Sequence, residues 1–194
     1  MTIPTIYKKK HQLACEAISL CLSFCQHNKI RIPSFSMLTE ENRFYHVNSC
    51  GFYRARHGVC VMPDKCSHLG ISGGSWSWPG YVIDRTAYGV VCHEMGHYVH
   101  EQVLFDSDCC FRHSNESCIT SYGTKDHKEW FAEMFRLYLT NPDLLEDIKP
   151  KTFEWLDERF HVVESRPWRH VLHDAPERTI NAALNKINKA RKGK

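Results

Sequence analysis

The sequence predicts an α+β fold: a small mixed sheet leading into a helical half. Three features carry that reading. Apolar residues recur at three- and four-residue spacing near the N-terminus and again beyond Lys125, the signature of amphipathic helices. Short stretches from Arg43 to Val47 and from Gly51 to Met62 alternate apolar and polar side chains, as strands do. The pairs Asn141-Pro142 and Lys149-Pro150 then divide the later helical segment into pieces, because proline cannot continue a helix and biases its predecessor away from helical angles. A chain of 194 residues suits one domain, with its core at about 40–162.

The first helix is expected over about 8–28, with Leu13, Ala14, Ala17, Ile18, Cys21, Leu22 and Cys25 on its apolar side. Ile32-Pro33-Ser34 breaks that pattern. Val59-Cys60-Val61-Met62 is the most strand-like piece of the sheet, and Pro63 stops it. Ser67 to Gly80, with Gly73-Gly74 and two tryptophans at Trp76 and Trp78, reads as loop. A proline-free helix capped by Asp84 should run on toward Phe105, and its apolar residues lie on nearly every face, as in a buried helix. Asp106 to Thr124 reads as a polar loop. Helices are expected at about 125–139, 142–149, 151–160 and 176–190.

Composition is that of an ordinary soluble globular chain, 42% hydrophobic and 24% charged. No apolar run approaches the ~20 residues of a membrane span. The opening Met1 to Lys10 is not followed by an uninterrupted apolar core and cleavage site, so a cytoplasmic or host-intracellular protein is expected. A net charge of +3 is too weak to imply nucleic acid, and the basic clusters at Lys8–Lys10 and Lys189–Lys194 read as solvated ends. Ten cysteines without a secretion signal read as reduced thiols or metal ligands before disulfides. Cys50, His57, Cys60, Cys66 and His68 form one weak structural-zinc candidate that lacks a C-x-x-C pair. Cys109, Cys110, His113 and Cys118 form a second weak cluster, whose adjacent cysteines are no standard zinc knuckle and leave disulfide pairing open.

The chemistry concentrates in His93-Glu94-Met95-Gly96-His97, which matches H-E-x-x-H. A helix turns about 100° per residue, so His93 and His97 share one face and both reach one metal ion. Zinc with imidazole nitrogens at about 2.0–2.1 Å is the usual occupant. Glu94, on the rim of that face, is placed to take a proton from metal-bound water.

A catalytic zinc requires one more protein ligand. The H-E-x-x-H-x-x-G-x-x-H class is excluded, because those later positions are His100 and Val103. A distant histidine, His113 or His127, is one route, and a glutamate from a second helix is another. Glu129 and Glu133 share a helical face flanked by Trp130, Phe131, Phe135 and Leu137. Two carboxylates there need neutralising, which a zinc with two histidines provides: one binds the ion and the other accepts the free N–H of a ligating histidine. Pairing with Arg136 or Lys125 is the plainer alternative.

Ile119-Thr-Ser-Tyr-Gly-Thr-Lys-Asp-His-Lys-Glu-Trp-Phe-Ala-Glu-Met-Phe-Arg-Leu137, with Pro150-Lys-Thr-Phe-Glu-Trp-Leu156 and the H-E-x-x-H stretch, resembles the catalytic domain of anthrax lethal factor and its relatives over roughly 90–160. The resemblance implies a zincin-like metallopeptidase fold of gluzincin type. It also implies one catalytic Zn2+ held by His93, His97 and Glu129, with Glu94 as general base and Glu133 supporting a ligand. It gives Tyr122 a catalytic role, its hydroxyl assisting the tetrahedral intermediate or leaving group. The implied activity is zinc-dependent endopeptidase hydrolysis of a peptide or protein substrate. The toxin's delivery and docking domains have no counterpart in this chain, so its substrates do not carry over. Two other readings stand beside this one: a zinc-stabilised interaction or nucleic-acid-binding module without catalysis, and a metallopeptidase that takes a third histidine and cuts DNA-bound proteins.

Overall fold

The computed structural model describes residues 5–42, 44, 49–66, 86–120 and 122–162, with isolated positions 185, 188, 189 and 192. Most of the expected strand at 43–47, the tryptophan loop at 67–80, Asp84, His68 and nearly all of the expected helix at 176–190 lie outside the described residues.

The described chain is mixed α+β and mostly helical. Helix α1, Thr5–His27, buries Leu13, Ala14, Ala17, Cys21, Phe24 and Cys25, a stripe at helical spacing, and packs on α2 (Ala87–Gln102). Its end is fastened from afar: Asn28 Nδ2 donates to the carbonyls of Phe24 and His161, both at 2.9 Å, and Asn28 Oδ1 accepts from the His161 N–H at 2.7 Å.

The sheet has three strands: β1 (Phe35–Met37), β2 (Gly51–Arg54) and β3 (Gly58–Val61), in the order β1-β3-β2. β1 pairs with β3 in parallel and β2 pairs with β3 antiparallel, which leaves β2 at an edge among the described residues. The three-residue β1 was not expected from sequence. β3 is buried throughout rather than alternating, because the sheet is covered on both sides. Val59 and Val61 join the main core with α2, while Cys60 packs with Leu38, Met62, Phe44 and Phe52 on the other face. Gly58 adopts φ +72°, and a Cβ there would lie 2.1 Å from the Ser34 carbonyl oxygen.

Helix α2 starts at Thr86, whose Oγ1 accepts from the Tyr88 N–H, and ends at Gln102 rather than Phe105. Phe105 and Asp106 then take left-handed angles, φ 54° and 56°. The expected loop after it is partly helical: α3, Cys109–Ser114, is a short turn of helix that buries Cys110. Helices α4 (His127–Thr140), α5 (Pro142–Ile148) and α6 (Pro150–Asp157) complete the core. Asp126 caps α4, accepting from the N–H groups of Lys128 and Glu129 at 2.9 Å. Phe24, Phe131, Phe135 and Phe160 interlock where α1 meets α4 and the chain beyond α6. No helix among the described residues is long and apolar enough to cross a membrane.

Candidate metal centre

Helices α2 and α4 approach closely at Gly96 and Ala132. A Cβ on Gly96 would lie 2.8 Å from Ala132 Cα, so only a residue without a side chain allows this spacing. The contact sits between His93 and His97 on α2 and between Glu129 and Glu133 on α4, and it brings the two pairs together. Glu129 Oε2 is 3.2 Å from His93 Nε2 and 3.3 Å from His97 Nε2. His93, His97 and Glu129 form a group whose ligand atoms all lie within 4.8 Å of one another and which could hold a metal ion.

Behind it, Glu133 Oε1 lies 2.7 Å from His93 Nδ1, and Arg136 Nη2 donates to Glu133 Oε2 at 2.6 Å. If the His93 proton sits on Nδ1, the nitrogen nearer Glu133, Nε2 is an acceptor that faces another acceptor, Glu129 Oε2. That oxygen is buried and has no hydrogen-bond partner. Converging acceptors in a buried place require a positive charge among them, a proton or a metal. The local field states the same demand. Burial alone would lower the His93 pKa, but Glu129 and Glu133 outweigh it and raise it to about 10. Burial likewise opposes ionisation of the two glutamates and is overcome. His93 and His97 hold Glu129 well below the usual carboxylate range, and Arg136 and His93 bring Glu133 down to about 2. The two Glu129–histidine spacings are also close to those around an ion: nitrogen and oxygen donors bonded at about 2.0–2.2 Å to one tetrahedral ion stand roughly 3.3–3.5 Å apart.

Tyr122 opens a 3-10 turn, Tyr122–Thr124, and its hydroxyl donates to Glu129 Oε1 at 2.8 Å. The turn is tight: the Gly123 N–H donates to Thr120 Oγ1 at 3.0 Å, and a Cβ on Gly123 would strike Cys118 Sγ. Burial and the Glu129 charge raise the Tyr122 pKa, so the phenol stays protonated. Glu94 is buried beside His93. Burial raises its pKa, against the pull of both histidines and of an N–H donated by Tyr53. Gly51, at the start of β2, lets the strand lie against this carboxylate; a Cβ there would sit 2.6 Å from Val90 Cγ1 and 3.2 Å from Glu94 Cγ.

A cavity of about 400 Å³ opens over these groups, lined by β2 on one side and by His93, Glu94, His97, Tyr122 and Glu129 on the other. Tyr53, Glu101, Asp106 and Lys128 extend its wall and were not singled out from the sequence. Of these only Glu101, four residues after His97, had a signal in its spacing.

Other candidates do not join the site. His127 packs against His100, ring centroids 5.3 Å apart, and His113 is exposed on α3; neither belongs to the metal group found among the described residues. The cysteine clusters do not assemble into a metal site among the described residues either. All ten cysteines are free thiols, several of them bonded to nearby carbonyls: Cys50 Sγ to Lys65 O at 3.3 Å and Cys66 Sγ to Met62 O at 3.4 Å.

Fold and site define a mixed α+β protein with a candidate metal centre between two helices. No family model, curated protein or solved structure matches the chain.

Proposed function

We propose that the chain is a zinc-dependent endopeptidase of zincin-like, gluzincin type, in which His93, His97 and Glu129 hold one Zn2+. The observation that carries this reading is the approach of Glu129 Oε2 to both Nε2 atoms beneath an open cleft that also contains Glu94. Bound there, zinc would supply Lewis acidity and a water acidified toward pKa ~7.

The protein's own groups do the rest. Glu94 takes the proton of the attacking water and returns it to the departing amine, a task for which a raised carboxyl pKa is suited. Tyr122 keeps its proton and donates a hydrogen bond to the oxyanion that develops on the substrate carbonyl. Glu133, itself held by Arg136, fixes the His93 ring and its tautomer. The edge strand β2 borders the cleft and offers main-chain groups along which an extended peptide aligns. A zinc-stabilised module without catalysis would have no use for an acid–base carboxylate at the mouth of a cleft.

The test is a random peptide library incubated with the protein, with and without a chelator. Cleavage that disappears with chelation and returns with added zinc supports the reading. Absence of cleavage by zinc-loaded protein overturns it.

A further inference from the structure

The cleft continues past the metal group toward the C-terminal end of α2, where residues have no part in the hydrolytic steps. Glu101 stands one helical turn beyond His97 on the same face of α2 and lines the same cavity. Its Oε1 accepts from the Tyr53 hydroxyl at 3.3 Å and from Gln102 Nε2 at 2.8 Å. Among the described residues no hydrogen bond or ion pair engages Oε2.

The other charges at this end are already matched. Lys128 Nζ lies 2.9 Å from Asp106 Oδ1, and that same Oδ1 lies 3.3 Å from His100 Nδ1. Burial, reinforced by His127, lowers the His100 pKa and keeps the ring neutral. Among the described residues, Glu101 is therefore the carboxylate of this end without a matching cation. Beside it the Tyr53 ring stands edge-on to Tyr98, centroids 5.8 Å apart, a braced aromatic wall.

We infer that Glu101, with the Tyr53 ring and hydroxyl, forms a subsite for a lysine or arginine side chain of the bound peptide; this rests on the peptidase reading above. An ammonium or guanidinium donates to the open carboxylate oxygen while its alkyl stem lies along the tyrosine. Helices rise about 1.5 Å per residue, so Glu101 lies roughly 6 Å beyond His97 along α2. Extended peptides advance about 3.3 Å per residue. The subsite therefore serves a residue about two positions from the scissile bond.

The experiment compares zinc-loaded wild type, Glu101→Gln and Glu101→Lys on a peptide library, and then on matched peptides carrying Lys, norleucine or Glu at the selected position. Wild type is expected to prefer Lys over norleucine there. In Glu101→Gln the ratio of kcat/KM for Lys over norleucine falls three- to tenfold, and in Glu101→Lys the preference turns toward Glu. Zinc content and melting temperature of each variant show that folding and metal are retained. Chelator-sensitive cleavage without a basic preference, or with one that both variants keep, overturns the subsite and leaves the peptidase reading standing. No cleavage by any form overturns both.

Discussion

Glu129 and His93 meet head-on: Oε2 of one lies 3.2 Å from Nε2 of the other, across two helices far apart in sequence. His97 reaches the same oxygen at 3.3 Å. Around this contact each group has a distinct neighbour, Glu133 behind His93 and Tyr122 against the far oxygen of Glu129. The proposed roles can therefore be separated by substitution.

Glu94→Gln keeps the shape of the side chain and removes its basicity. Zinc content by elemental analysis should stay at one ion per chain, while peptide hydrolysis falls by roughly 10²–10⁴-fold. Hydrolysis at the wild-type rate would remove Glu94 from the mechanism.

Glu129→Ala should lower zinc content more than Glu133→Ala does. The first removes a donor to the ion and the second a support for His93, a loss worth roughly 10–100-fold in affinity. Competition titrations with a metal indicator rank the two. The opposite ranking would exchange their roles.

Tyr122→Phe should retain zinc and lose turnover by roughly 10²–10³-fold, the usual effect of deleting one donor to an oxyanion. Because the hydroxyl also bonds Glu129 Oε1, zinc content is measured alongside. Metal loss equal to the activity loss would make the tyrosine a support for Glu129 only.

Gly96→Ala places a methyl 2.8 Å from Ala132 Cα, which backbone cannot evade by changing rotamer. Overpacking of this kind destabilises by about 1–3 kcal/mol. For a chain of this size each kcal/mol lowers the melting temperature by roughly 2–4 °C. Zinc affinity should fall with stability, because the same displacement moves Glu129 from the histidines. Ala132→Gly in the same chain should restore neither, because the closest atoms, Ala132 Cα and its carbonyl oxygen, belong to the backbone that glycine keeps; thermal melts and metal titration read both.

His100 gives a pH dependence of definite sign. Its ring is buried against Phe131 and faces His127, Asp106 and Lys128. Burial, helped by His127, lowers its pKa in the folded protein. Below the unfolded value of about 6.5 the unfolded chain binds a proton that the folded ring refuses, so stability falls as pH drops through that value toward the folded pKa. Melting curves from pH 7.5 to 5.5 should show a decline that His100→Asn flattens. Equal slopes for the two proteins would contradict this.

What the sequence makes legible here depends on distance along the chain. His93 with His97, and Glu129 with Glu133, are pairs on single helices, and helical periodicity alone puts each pair on one face. The meeting of the two faces depends on Gly96 against Ala132, a contact that no local pattern encodes. Arg136 was read as the plainer partner for a glutamate, yet it holds Glu133 while Glu133 holds His93, so the two readings coexist. β1 and α3 are too short for periodicity to register, at three and six residues. The β3 face was misjudged as alternating because a second cluster, built on Leu38 and Met62, covers the side that would otherwise meet water.

Among the described residues β2 has no strand beyond it, which has a consequence for solution behaviour. Unpaired strand margins invite copies of a protein to zip together, and natural sheets discourage this with brevity, charge and prior engagement of their amides. β2 shows each: it is four residues long, it finishes in Arg54, and its Tyr53 amide is already engaged by Glu94. These three traits disfavour edge-to-edge zipping of copies through this strand.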